Sequence, residues 1–217
     1  FRETGKGPAV GQLFELTAVR SNKEEFPVEL ALASLELEDG WGAVGTVRDI
    51  SERKQATNRL RHQAQTMAAV NEILSSTLVA TSEQEIASRC LAVAERIPEA
   101  SFGFVGEVNA RGKLDSIAIS NPGWDACRMP MSEAVRSLED MEVKGLYGQP
   151  VLEERSTLVN DPAASPHSIG VPPEHPQLKC FLGVPLKRGG RTTGVIGLAN
   201  REGGFRPEDQ EAVEALA

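Results

Sequence analysis

From Val10 to Ile50 apolar and polar residues alternate, first at Phe14, Leu16 and Ala18 and then at Phe26, Val28, Leu30 and Leu32. A period of two belongs to strands with one buried and one wet face. The stretches SNKEEFP and LEDGWG interrupt the alternation with turn-forming residues, so the segment predicts a three-stranded antiparallel meander. Such a meander buries little alone, which predicts either more chain ahead of it or a partner against it. After Ile50 the period changes. Ser51 stands where a helix N-cap is expected, ahead of a run free of Gly and Pro that reaches about Ala80. Leu60, Met67 and Leu74 recur at sevens, and Ala64, Asn71 and Leu78 follow four residues behind. That is a d/a seam, with Asn71 the residue type that fixes register between paired helices. A second stripe, Val70, Ile73, Thr77 and Ala80, predicts packing on a domain as well as on a partner helix. The simpler arrangement is one amphipathic helix lying on one core.

Glu83 to Ile97 continues as helix, with Ile86, Cys90, Val93, Ala94 and Ile97 on one face and Pro98 at its end. SFGFVGEV and LDSIAIS alternate around NARGK, a hairpin pattern. A long section, Asn121 to Lys179, holds most of the prolines and short helical fragments such as SEAVRSLEDM and LYGQPVLEE. FLGVPL and TGVIGLAN form a second hairpin, and Pro207, Glu208 and Asp209 open a last helix with favourable first-turn chemistry. The predicted fold class is α+β: an antiparallel sheet with helices on one face, preceded by the meander and a connecting helix.

The glycines of KRGGRTTG suggest a phosphate loop. That loop needs GxxxxGK[ST] between a strand and a helix, whereas here no Lys-Ser/Thr follows and both flanks read as strands. Gly189 and Gly190 are therefore predicted as turn residues with positive φ. A formal charge of −8 over 217 residues, with no basic cluster, argues against nucleic acid as a partner. Three cysteines, Cys90, Cys127 and Cys180, are odd in number and form no CxxC, so neither a disulfide framework nor a zinc site is predicted and a reducing cytoplasm fits. No run is long and apolar enough to span a membrane, so no membrane contact is expected. The chain lacks an initial Met and breaks off in an amphipathic pattern, which predicts a piece of a longer protein.

Candidate chemistry is sparse. His62 lies on the polar face beside the seam without an acidic neighbour, as a solvated His would. His167 and His175, eight apart in SPHSIGVPPEHPQ, are either loop histidines bonded to backbone or imidazoles bordering a cavity that holds a haem or an anion. Cys127, next to Arg128, is either a half-buried loop residue or a tetrapyrrole attachment point or redox thiol. No Ser-His-Asp order, HExxH or acid/base carboxylate pair stands out, so the region is expected to catalyse nothing.

Two resemblances follow from these residues. ELTAVRSNKEEFPVELALASLELEDGWGAVGTVRDISERKQ resembles the C-terminal half of a PAS domain, above all at Asp49, Ile50, Ser51, Arg53 and Lys54, although Lys23 and Glu24 follow Asn22 where that family's turn carries Gly. LVNDPAASP, GVPPEHPQLKCFLGVPLKRGGRTTGVIGLANREGGF and PEDQEAVEALA are similar to a GAF domain of bacterial sensor proteins. The resemblance implies residues 1–50 as part of a PAS domain, 51–80 as a signalling helix and 67–217 as a GAF domain. It also implies a sensory input and dimerisation region, relaying to an output kinase or cyclase domain in the same polypeptide. A two-component histidine kinase is the expected parent, with a GGDEF/EAL cyclic-di-GMP enzyme as the alternative. Homodimerisation is expected through Leu60, Met67, Asn71, Leu74 and Leu78. By segment, the resemblance places a ligand pocket at Trp124, Cys127, Met129, Tyr147, His167, His175 and Phe181. The ligand is left open as haem, another small molecule or none; cyclic-nucleotide and bilin signatures are absent. A remaining alternative is a GAF-type thiol reductase acting through Cys127 and Cys180.

Overall fold

The computed structural model describes residues 1, 3–77, 80–120, 125, 128, 138–171 and 174–217, with the backbone alone at 76 and 77. The chain divides into two compact units, Phe1–Gln63 and Ala64–Ala217.

The first unit holds the predicted meander as β1 (Leu13–Val19), β2 (Glu25–Leu37) and β3 (Gly40–Asp49), antiparallel in the order β1-β2-β3. Leu16 stands opposite Val28, and Leu30 opposite Val47, so the alternating apolar residues share one face. In the β1–β2 turn Lys23 takes a φ of 69°, the left-handed conformation for which glycine is the usual residue. Asn22 Oδ1 supports it by accepting from Glu24 N at 3.0 Å. Burial is thin, as the meander's size predicts. Val28 and Ile50 are 4% and 2% exposed, but Leu13, Val19 and Val47 are each 62% exposed.

Helix α1 (Ser51–Thr77) follows β3. Its first amide is satisfied by Asp49, whose Oδ1 accepts from Ser51 N at 2.9 Å; Ser51 itself is already helical, which moves the cap upstream of the expected N-cap. Hydrogen bonds from the Ser51 hydroxyl and amide, with the Arg20 guanidinium adding to them, hold the Asp49 carboxyl down to about 2. Arg53 reaches Glu15 and Glu29, both at 2.9 Å, and Lys54 reaches Glu15 at 2.8 Å. These ion pairs are largely solvated, so they fix the start of the helix more than they stabilise it.

In the second unit α2 (Glu83–Arg96) starts at Ser82, whose hydroxyl accepts from Glu85 N at 3.2 Å, while Glu85 Oε2 accepts from Thr81 N at 3.0 Å. Then come β4 (Phe102–Val108), β5 (Leu114–Ile119), α3 (Gly145–Leu152), β6 (Thr157–Val159), β7 (Phe181–Arg188), β8 (Arg191–Ala199) and α4 (Pro207–Glu214). The strands form one antiparallel sheet in the order β5-β4-β8-β7-β6. The fold is α+β. Gly189 and Gly190 have φ of 59° and 81° between the paired residues Arg188 and Arg191, the geometry of a two-residue hairpin turn and not of a phosphate loop.

Alternation along the strands sorts this sheet into two faces. Register places Leu182 opposite Leu198, and Ile196 opposite both Val184 and Val105. These residues pack with Ala87, Leu91 and Ala94 of α2 and Val213 of α4 into the main core. The predicted face of α2 is thus one residue off at its start. Ile86 and Cys90 are half-buried, whereas Ala87 and Leu91 are 6% and 2% exposed. The α4 end is held by Asp209, whose Oδ2 accepts from Arg206 N at 2.8 Å and stands 3.1 Å from Arg201 Nε, both side chains being nearly buried.

Candidate functional site

The reverse face of the sheet carries Phe102, Phe104 and Ile119 of β4 and β5, and Phe181, Gly197 and Ala199 of β7 and β8, paired across the ladder as Phe102–Ala199, Phe104–Gly197, Phe104–Ile119 and Phe181–Ala199. Glycine at 197 makes room for the Phe104 ring, because a Cβ there would lie 2.2 Å from its Cε1 and the ring would have to move. The ring therefore lies down on the strand. Among the described residues no long helix covers this face. Helix α3 packs over its β7 end, with Pro150 where a side chain on Gly183 would stand. Beside it residues 138–147, 162–171 and 174–178 arch over the sheet and border a cavity of about 900 Å³. Its floor is the three phenyl rings and Ile119, and its walls include Leu138, Met141, Leu146, Ile169, Val171 and Leu178.

Because the arch is largely irregular backbone, side chains must hold it. Asn200, at a φ of 60°, donates from Nδ2 to Gln177 O at 2.7 Å and accepts at Oδ1 from Lys179 N at 2.7 Å. Its own amide donates to Cys180 O at 3.1 Å. On the other side Tyr147 Oη donates to Glu142 O at 2.9 Å, and Lys144 Nζ pairs with Glu142 Oε2 at 2.9 Å. Each partner stabilises the other's charge, so the Glu142 carboxyl is lowered and the Lys144 ammonium raised, while burial pushes the Tyr147 phenol up. His175 Nδ1 lies 2.8 Å from the carbonyl oxygen of Pro176.

Of the residues predicted for a pocket, Tyr147, His175 and Phe181 border this cavity. His167 is exposed and does not, its amide donating to Ser165 Oγ at 3.4 Å. Trp124, Cys127 and Met129 lie outside the described residues, as does Leu78 of the predicted seam. Arg128 donates its amide to Glu174 O at 3.1 Å. The residues missed, Phe102 and Phe104, had a legible signal: two phenyl rings two apart on a predicted strand, out of phase with Val105.

The described cysteines belong to packing. Cys180 is 2% exposed within the core on the α2 and α4 side, one residue out of phase with cavity-facing Phe181, and its Sγ lies 3.5 Å from Arg201 O. Burial pushes the Cys90 thiol up. Cys180 lacks the access, and Cys90 the lowered pKa, that thiol chemistry needs. Among the described residues no cluster of His, Cys, Asp or Glu is suited to a metal, and no helix is long and apolar enough to cross a membrane. On α1 the seam residues Leu60, Met67 and Leu74 are 67%, 68% and 59% exposed, and Ala64 and Asn71 are exposed with them.

Several known proteins are similar to this chain. The "methyl sulfide methyltransferase-associated sensor" of Methanosarcina acetivorans is 24% identical over 207 residues, covering 94% of this chain, which spans only 20% of that protein's length. Among solved structures, the GAF domain of a phosphoenolpyruvate-protein phosphotransferase from Coxiella burnetii superposes with a TM-score of 0.59 at 16% identity, over 70% of this chain and 88% of that one. A putative GAF sensor protein from Burkholderia vietnamiensis gives 0.54 at 17% identity, over 71% and 90%. Free methionine-R-sulfoxide reductase of Neisseria meningitidis gives 0.50 at 20% identity, over 70% and 85%, a likeness of fold alone. The sequence profile of the GAF domain matches residues 80–217, which hold the five-stranded sheet, its arch and its cavity, and the chain accordingly belongs to the GAF domain family.

Proposed function

We propose that this chain is the sensory input region of a signal-transduction protein, in which a small molecule held in the sheet cavity biases an output domain elsewhere in the polypeptide. The cavity itself carries this reading. It is about 900 Å³, within the size range of small-molecule sites, mostly apolar, and roofed by irregular segments able to move with its occupant. A relative described as a sensor supports the signalling role. In this reading the region performs no chemistry of its own. The buried position of Cys180 weighs against the thiol-reductase alternative.

The relay passes through α1. Leu60, Met67 and Leu74 stand at heptad spacing with most of their surface in water, a pattern that a second copy in a parallel coiled coil would cover, with Asn71 at the seam fixing register. The meander ahead of it is a PAS remnant, and the favoured parent is a two-component histidine kinase, with a cyclic-di-GMP enzyme as the alternative output. A bias of about 1–3 kcal/mol between two helix arrangements is enough for such a switch. Light scattering at micromolar concentration tests the relay. The chain is expected to be a dimer and Leu74→Glu a monomer; a monomer in both cases refutes it.

A further inference from the structure

Resting on that reading of the cavity, we propose its ligand class: an uncharged, flat ring system bearing one hydrogen-bond donor, seated on the phenyl floor with the donor on Nε2 of His175. Three observations lead there.

The first is shape. Phe102 and Phe104 of β4 and Phe181 of β7, with β8 between them, lie on one side of the sheet, and the Phe104 ring lies down over Gly197 of β8. The result is a broad aromatic floor, which a flat ring system covers with more contact than a branched or globular molecule does.

The second is charge. Among the described residues bordering the cavity, Lys144 is the single Lys or Arg and there is no Asp or Glu. The Lys144 ammonium already pairs with Glu142 at 2.9 Å. Among the described residues a phosphate or carboxylate entering between these apolar walls would find no uncommitted cation, and an unpaired charge is costly to bury. An uncharged ligand meets no such cost.

The third is the tautomer of His175. A carbonyl oxygen only accepts, so the Nδ1 that lies 2.8 Å from Pro176 O carries the hydrogen. In the neutral ring Nε2 then holds the lone pair, and no other bond to this ring is found among the described residues. Tyr147 Oη is committed to Glu142 O and the Gln177 carbonyl to Asn200, while the hydroxyl of Ser116, which also borders the cavity, is buried without a partner among the described residues and can donate or accept. His175 thereby offers an acceptor at the edge of an apolar box, and a ligand N–H or O–H is its complement.

The test uses the full chain and a matched pair of fluorescent probes. These are 2-phenylindole, which is flat, neutral and has an N–H, and 1-methyl-2-phenylindole, which lacks the donor. Cyclic GMP serves as the anionic competitor. The expected result is saturable binding of 2-phenylindole, about fivefold tighter than its methylated analogue, with no displacement by cyclic GMP. His175→Ala should abolish the discrimination between the indoles at an unchanged melting temperature. Equal affinity of the indoles for the wild type, discrimination retained in His175→Ala, displacement by cyclic GMP, or no binding of either indole overturns the ligand class. Ala163→Trp, which adds bulk at an exposed position of the cavity wall, separates this failure from that of the underlying reading. Probe binding lost in Ala163→Trp but equal for the two indoles leaves the cavity as a site and removes the ligand class. Binding unaffected by Ala163→Trp places the probe elsewhere and overturns both.

Discussion

On the side of the five-stranded sheet that meets α2 and α4, Leu182, Ile196 and Leu198 are 0%, 1% and 0% exposed. On the reverse side, at neighbouring positions of the sheet, Phe102, Phe104 and Ile119 are half-buried and border a cavity of about 900 Å³. The strands supply apolar side chains to both faces, so hydrophobicity does not separate them. What lies opposite does. Helices satisfy their own backbone, and α2 presents Ala87 and Ala94, small enough for close approach to the strands. The arch is irregular chain whose amides and carbonyls need partners such as Asn200 and Tyr147, which hold it off the sheet instead of against it. One face is built for stability and the other for occupancy.

Substitutions can break or sharpen that contrast. The largest expected effect is Leu182→Ala on the packed face, a loss of about 3–4 kcal/mol in urea unfolding, since a rigid core does not refill the hole. Asp209→Ala comes next at about 3 kcal/mol, because it strands buried Arg201 and removes the acceptor of Arg206 N at the start of α4. Phe104→Ala on the open face should cost only about 1–2 kcal/mol, as its ring already borders a void, while weakening 2-phenylindole binding at least tenfold. A Phe104→Ala loss as large as that of Leu182→Ala would contradict the contrast. The smallest effect concerns pH. Glu95 of α2 is half-buried, and burial pushes its carboxyl up despite hydrogen bonds from Ser120 and Gly103. A carboxyl raised in the folded state keeps its proton where the unfolded chain has released it, so its contribution is favourable in acid and declines as pH climbs above 4.5. Glu95→Gln should therefore gain stability relative to wild type as pH rises from 4 to 7; a flat difference between the two curves would show that burial does not govern this carboxyl.

The packed face was the more legible in the sequence. Both hairpins of the sheet announced themselves by alternation around NARGK and KRGGRT, and Pro98 and Pro207 punctuated the helices. Misreadings arose where the signal is weak by nature. The buried line of α2 runs through Ala87, and alanine contributes little to a hydrophobic stripe, so Ile86 and Cys90 drew the face one residue aside. Three residues of β6 are too few to show a period. The arch has no period at all. Tyr147, His175 and Phe181 came from a segment resemblance, because nothing local in SPHSIGVPPEHPQ tells His175, on the cavity wall, from His167, which is exposed. The difference is made by long-range bonds such as Asn200 to Gln177 and Lys179, which sequence spacing does not encode.

Thermal melting of the full chain with and without 2-phenylindole, at ten times its dissociation constant, tests the division of labour between the faces most directly. Wild type should gain about 3–6 °C. Leu182→Ala should melt lower yet keep a similar gain, and Ala163→Trp should melt like wild type and gain nothing. A gain that vanishes in Leu182→Ala, or survives in Ala163→Trp, would contradict the account.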